Sequence, residues 1–113
     1  MRQVASISIS ELEEMAAHMY GELVKGVVDV ARGVVVLDAD LHVDEEQFLL
    51  EQGSKQADLW GINLYPEYYG DDDFLEFDSM INIRPAQGNR SRGVEDEQVQ
   101  QKIRELIAEV VHG

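Results

Sequence analysis

The sequence contains no cysteine and only two prolines among its 113 residues. Without thiols there can be no disulfide scaffold and no zinc or iron–sulfur site that depends on thiolate ligands. The fold must therefore be held by a hydrophobic core, and a chain of this length can bury one within a single domain. We predict one globular domain over residues 1–113.

Positive charge is also scarce. Nine Lys and Arg residues stand against 23 Asp and Glu residues, which gives a formal net charge of -14. Carboxylates in this excess repel phosphate groups, so the composition argues against nucleic-acid binding and against anionic lipid surfaces. The expected partners are a basic protein, a cation or a small polar ligand held locally; the alternative is that the acidity serves solubility alone.

Long apolar runs are missing as well. No stretch approaches the length that a membrane-spanning helix needs, so we predict no membrane contact. Residues 1–9 lack the apolar region of a secretory signal peptide. We therefore expect a cytoplasmic protein.

Hydrophobic periodicity in the first half of the chain predicts a helix, a hairpin and a second helix. A capping box, Ser10–Glu13, precedes an apolar stripe at helical spacing. Valine-rich runs over residues 24–30 and 34–43 predict a β-hairpin, and residues 44–52 predict a short helix with Asp44 as its N-cap. The stripe of the first helix consists of Leu12, Met15, Ala16, Met19, Tyr20 and Leu23.

The second half predicts another hairpin and a final helix. Residues 57–65 and 74–84 alternate in polarity as strands do, and residues 95–111 carry a helical apolar stripe. The predicted fold class is α+β, in the order α-ββ-α-ββ-α. Two hairpins form one small antiparallel sheet with the N- and C-terminal helices on one face. The open edges of such a sheet favour a homodimer.

The polar face of the second hairpin is the first candidate site. Antiparallel pairing places Asn63 and Tyr65 on the same side as Asp78, Asn82 and Arg84. Amide, phenol, carboxylate and guanidinium groups together supply the donors and acceptors that recognition of a small polar molecule needs. The alternative is a solvated sheet face on which Arg84 pairs with a neighbouring acid.

The loop that follows this face is rich in Arg and Asn. Residues 82–93 contain three arginines and no acid, and they include Pro85 and two glycines, which suits a shaped loop. Its arginines either hold an anionic ligand or neutralise acids of the same fold, such as those of residues 71–73. The full predicted ligand-binding set is Asn63, Tyr65, Asp78, Asn82, Arg84, Asn89, Arg90 and Arg92.

A metal site is the second candidate. Period-two spacing along residues 38–44 places Asp40, His42 and Asp44 on one strand face, and these side chains are suitable ligands for a divalent metal. Residues two apart on a strand are too widely spaced to converge without a bend. A polar strand face, with Asp44 as a helix cap, is therefore the alternative.

Residues 53–66 and 77–96 resemble a family of small uncharacterised bacterial and cyanobacterial proteins, a domain of unknown function. The resemblance spans nearly the whole chain and implies a single compact domain. It implies no reaction, substrate or cofactor.

Binding, not catalysis, is the role we predict. A small polar or anionic ligand, or a partner peptide, would be held by the polar sheet face and the Arg loop. Two alternatives stay open. The first is a metal-dependent hydrolase that uses His42 and nearby carboxylates. The second is an acidic interaction module, such as an antitoxin, that covers a basic protein.

Overall fold

The computed structural model describes residues 1–19 and 21–113; Tyr20, placed above on the stripe of the first helix, lies outside them. Single turns of 3-10 helix at Met80–Asn82 and Pro85–Gln87 follow the last strand of the main sheet. The helices and strands are β1 (Arg2–Val4), β2 (Ile7–Ser8), α1 (Ile9–His18), β3 (Val24–Asp29), β4 (Val34–Leu37), α2 (His42–Glu51), β5 (Leu59–Leu64), β6 (Leu75–Glu76), α3 (Glu97–Val110) and β7 (Val111–His112).

Five strands form one antiparallel sheet in the order β1-β4-β3-β5-β6. The predicted α+β class with an antiparallel sheet is thereby confirmed. The predicted element order lacks β1, β2 and β7, because strands of two or three residues carry no readable periodicity. β2 and β7 pair in parallel, with Ile7 opposite Val111, and so join the two ends of the chain.

Both faces of the sheet are covered. Leu12 of α1 and Ile103 of α3 are fully buried in one core cluster, while Leu49 of α2 packs in a second cluster with Val27 and Val36. Each such side chain contributes roughly 2 kcal/mol by leaving water. Coverage from two sides explains why all of β5 is buried. No helix within the described ranges has the length and apolar character to cross a bilayer.

Helix α1 begins earlier than predicted. The Glu11 amide donates a hydrogen bond to Ser8 Oγ at 3.1 Å, so the capping box is Ser8–Glu11 and not Ser10–Glu13. The sequence contains both Ser-x-x-Glu patterns. Ile7 is fully buried in β2, and this anchor just before Ser8 selects the earlier pattern.

Residues 38–44 do not continue the strand, contrary to the prediction. β4 ends at Leu37, Asp38 has a left-handed φ of 72°, and α2 begins at His42. The change of backbone conformation ends the alternation, so Asp40, His42 and Asp44 do not share a strand face. Asp44 lies in the first turn of α2, where the helix dipole favours its charge, and the N-cap is Leu41.

The strand predicted over residues 74–84 is reduced to the two residues of β6. Beyond it the chain packs against β5, where Ser79 occupies the space beside Gly61: a Cβ on Gly61 would lie 2.5 Å from Ser79 Cβ. The Asn82 side chain then pairs with the β5 edge. It accepts from the Gly61 amide at 2.8 Å and donates to the Gly61 carbonyl at 3.0 Å. One side-chain amide thus replaces the backbone pairing of a longer strand.

Candidate functional site

The asparagines of the loop hold the loop together. The buried Asn89 side chain donates to the carbonyls of Asn82 at 2.7 Å and Gly93 at 2.8 Å, and it accepts from the Glu95 amide at 2.9 Å. Together with the bonds from Asn82 to Gly61, these contacts fix the path of residues 82–95. Both Asn82 and Asn89 therefore use their side-chain amides to stabilise the fold.

The Arg84 side chain also forms its hydrogen bonds within the fold, to backbone carbonyl groups. Its guanidinium lies 4.1 Å from the centre of the Trp60 ring and donates to the carbonyls of Leu59, at 2.8 Å, and Gln56. Burial lowers the pKa of Arg84, and its Nε has no acceptor among the described residues. Arg84 was predicted to hold a ligand, with pairing to a neighbouring acid as the alternative. The structure instead gives it carbonyl groups and an aromatic ring.

The other two loop arginines are exposed. Arg92 Nε donates to Asp78 Oδ1 at 2.6 Å in an ion pair that water reaches from both sides. The Arg90 guanidinium makes no hydrogen bond or ion pair with a described residue, although its backbone amide donates to Glu95 Oε2 at 2.7 Å. No ion pair links a loop arginine to residues 71–73 in the described part of the chain.

A polar groove of about 350 Å³ lies over the α2 side of the sheet, between the start of α2 and the segment after β6. Four of the eight predicted ligand-binding residues line it, together with His42, which was predicted only as a metal ligand. The other four, Asn82, Arg84, Asn89 and Arg90, do not line it. The groove-lining predicted residues are Asn63, Tyr65, Asp78 and Arg92.

His42 is buried as the first residue of α2, with Nε2 at 2.7 Å from the carbonyl of Ile62. A carbonyl oxygen only accepts, so Nε2 carries the proton that it donates, and Nδ1 of the neutral ring is left as an acceptor. Burial is the main cause that lowers the pKa of His42, and the charge of Lys25 lowers it further. The hydrogen bond to the Ile62 carbonyl, Asn63 and the charge of Asp78 act in the opposite direction without reversing the shift. The ring is therefore neutral at pH 7.

Glu76 organises the polar floor of the groove. Its Oε1 accepts from Asn63 Nδ2 at 2.9 Å and from the Tyr65 hydroxyl at 3.0 Å. Burial, followed by this hydrogen bond, raises the pKa of Tyr65 to about 12. Asn63 Nδ2 also donates to the carbonyl of Asp78 at 3.1 Å, while Asn63 Oδ1 is buried and has no donor among the described residues.

Sequence reasoning missed Lys25 and Ser79, which also line this groove. Lys25 lies directly opposite Asn63 in the pairing of β3 with β5. Only the sheet order could have revealed this, because the two strands are separated in the chain by β4 and α2. Apolar side chains form the rim, and Leu41, Val43 and Met80 are 51%, 50% and 66% exposed.

The three predicted metal ligands, Asp40, His42 and Asp44, do not lie together in the structure. Asp40 and Asp44 are exposed, whereas His42 is buried and spends Nε2 on Ile62. Within residues 1–19 and 21–113, no three His, Asp or Glu side chains are grouped as a metal ion requires. The divalent metal stays a prediction that no contact in the structure supports.

Comparison with known proteins places the chain in a family. Residues 3–110 match the family described as "Protein of unknown function (DUF5674)". The chain belongs to DUF5674. This confirms the resemblance to a domain of unknown function, while the bacterial and cyanobacterial range of that family stays a prediction. Searches of curated proteins and of solved structures found no match to this DUF5674 chain.

Proposed function

We propose that this DUF5674 chain binds a small polar molecule in the polar groove. The proposal rests on four polar side chains that come from separate parts of the chain and line one concavity. They are His42 of α2, Asn63 of β5, Asp78 after β6 and Arg92 of the loop. The volume of this concavity, about 350 Å³, falls in the range typical of small-molecule sites. Binding is the role we assign, and we assign no reaction.

Preorganisation supports this proposal. Asn63 and Tyr65 are held by the same carboxylate oxygen of Glu76, so a ligand would meet groups whose orientations are already fixed. The apolar rim of Leu41, Val43 and Met80 can cover the apolar part of a bound molecule. A polar floor inside an apolar rim favours a ligand that carries both kinds of surface.

A ligand screen with a blocked groove tests the proposal. We expect small polar compounds to raise the melting temperature of the wild-type protein and to shift the amide resonances of Asn63 and Val43. Met80→Arg places a long side chain at the groove rim and should abolish both effects. Met19→Arg, the same substitution at an exposed site outside the lining, should preserve them. Equal binding by the two variants would place the ligand elsewhere and refute the proposal.

A second candidate function, recognition of a basic protein, is favoured by a separate groove. This groove, about 320 Å³ in volume, lies between α3 and residues 69–75, with Phe74, Ile107 and Val111 among its apolar lining. Asp71 and Asp72 outnumber the one cation, Arg104, in the lining of this groove, so a partner segment with apolar and cationic side chains is complementary to it. The net charge of -14 would accelerate such an encounter.

This candidate predicts salt-dependent binding of a synthetic basic amphipathic helix. Affinity should fall as salt rises and should be lost in Ala108→Trp, which fills the groove, while Ala17→Trp on α1 should leave it intact. Binding that is independent of salt, or equal in both variants, would count against a basic partner at this groove.

A further inference from the structure

The orientation of the Asn63 amide leaves one acceptor without a donor. Glu76 Oε1 and the Asp78 carbonyl both face this amide, and since each can only accept, the nitrogen must point to them. The side-chain oxygen Oδ1 therefore occupies the other position of the amide group, away from these two acceptors. Asn63 is only 6% exposed, and no described residue donates to Oδ1. A buried acceptor in this state destabilises the fold relative to one that is satisfied.

His42 adds a second acceptor to the same groove. Its Nε2 proton is used on the Ile62 carbonyl, so the neutral ring has no N–H left to offer Asn63. The two side chains nevertheless interact, because Asn63 favours the protonated form of the ring. Asn63 Oδ1 thus requires a hydrogen atom that the neutral fold does not supply, and His42 Nδ1 is a second acceptor on a residue of the same lining.

The charged groups around these acceptors balance one another. Lys25 of β3 makes an interaction of its own and opposes protonation of His42, while Asp78 favours it. Arg92 is paired with Asp78, and Glu76 of β6 already accepts from Asn63 and Tyr65. From α2 itself, Glu45 lies buried beside the Ala39 amide, and Glu46 is buried near Arg84. Two cations and two carboxylates line the groove, which favours an uncharged ligand over an ion.

We infer that the ligand of this groove carries a primary carboxamide whose N–H groups donate to Asn63 Oδ1 and His42 Nδ1. The inference rests on the proposed binding function and specifies the chemistry of the bound group. An amide nitrogen supplies two donors, and its carbonyl can accept from the remaining N–H groups of Arg92 on the groove wall. A carboxylate of similar shape brings only acceptors and would leave Asn63 Oδ1 without a donor.

A proton on His42 competes with this ligand. Protonation would place a hydrogen on Nδ1 and satisfy Asn63 from within the fold, and so remove both acceptors at once. Amide binding should consequently weaken as the pH falls through the pKa of His42. The sign follows because the ligand binds only the neutral ring, and the loss can reach about tenfold per pH unit below that pKa.

The test compares four small probes by NMR on the labelled wild-type protein. Acetamide should shift the Asn63 side-chain amide and the His42 ring resonances. N,N-dimethylacetamide, which lacks an N–H, and acetate should bind about tenfold more weakly or not at all. Methylammonium tests whether a charged donor replaces the amide, and tighter binding of methylammonium than of acetamide would overturn the assignment to a neutral group.

A pH series tests the role of His42, with a variant of His18 as the matched control. Acetamide affinity should fall as the pH drops below 6.5, because the pKa of His42 is lowered from that value, and it should do so in the wild-type protein and in His18→Ala, whose exposed histidine lies on α1. His42→Phe should lose the pH dependence. If that variant does not fold, the wild-type His42 resonance must still titrate together with the loss of affinity. Probes that bind elsewhere, or none that bind, would refute the proposed function. Groove binding led by acetate or dimethylacetamide would refute the donor assignment alone.

Discussion

Replacing Glu45 by glutamine should stabilise this protein at neutral pH. Glu45 is fully buried on α2, where Oε2 accepts from the Ala39 amide at 3.2 Å and Oε1 has no donor among the described residues. Burial raises the pKa of this carboxyl from 4.5 to about 9, and the nearby charge of Asp38 adds to the effect. The folded protein therefore keeps the Glu45 proton at pH 7, whereas the unfolded chain releases it.

The raised pKa fixes both the sign and the size of the effect. Stability is complete below the unfolded pKa of 4.5 and is lost progressively as the pH rises towards about 9. By pH 7 the loss covers about 2.5 pH units, which at about 1.4 kcal/mol per unit amounts to about 3.5 kcal/mol. Glu45→Gln keeps the shape and the bond to Ala39 but has no proton to release. It should recover up to that amount at pH 7 and little at pH 4.5.

Urea unfolding measures this difference, with fluorescence of the single, buried Trp60 as the signal. The variant should gain stability over the wild type steadily between about pH 4.5 and about pH 8. Glu51→Gln, at an exposed site on the same helix, should change the free energy of unfolding by less than about 0.5 kcal/mol at every pH. A Glu45→Gln effect that is constant with pH would show that the carboxyl ionises in the folded state.

Four further substitutions test the roles assigned to the loop and to the β5 edge, each by the free energy of urea unfolding. Asn89→Ala should cost about 2–4 kcal/mol, because it leaves several loop groups without partners; a cost below about 0.5 kcal/mol would contradict that role. Arg84→Ala should cost about 1–2 kcal/mol, while Arg90→Ala should be nearly neutral. Equal effects of these two would refute the distinction. Gly61→Ala should cost about 1–3 kcal/mol through its clash with Ser79, and a neutral result would refute the close approach.

The conformation of the loop over residues 82–93 could be predicted from the sequence, but the partners of its side chains could not. Composition correctly predicted a shaped loop, because Pro85 and Gly88 allow few alternatives, and Gly88 has a left-handed φ of 87°. The partners of its arginines could not be predicted. Arg84 bonds to carbonyl groups that every residue possesses, at positions more than twenty residues earlier in the chain. A ligand or an acidic side chain was the expected partner, because a sequence does not show which backbone carbonyl groups come close to an arginine.

The start of α2 was missed for a different reason. His42, Glu45, Glu46 and Leu49 are its buried residues, and they stand at helical spacing. Three of these four side chains are polar, so a pattern of apolar residues does not reveal the buried face of the helix. The alternating acids of residues 38–44 gave a stronger and misleading strand signal, which ends where Asp38 adopts its left-handed conformation.

In the proposed complex, Asn63 and His42 present two acceptors to a ligand in the polar groove. A crystal structure of the protein soaked in acetamide tests it most directly. We predict one acetamide in the groove, with its nitrogen within hydrogen-bonding distance of Asn63 Oδ1 and His42 Nδ1. A groove that holds only water at saturating acetamide would refute this binding mode. An Asn63 amide turned so that its nitrogen faces His42 would refute it as well.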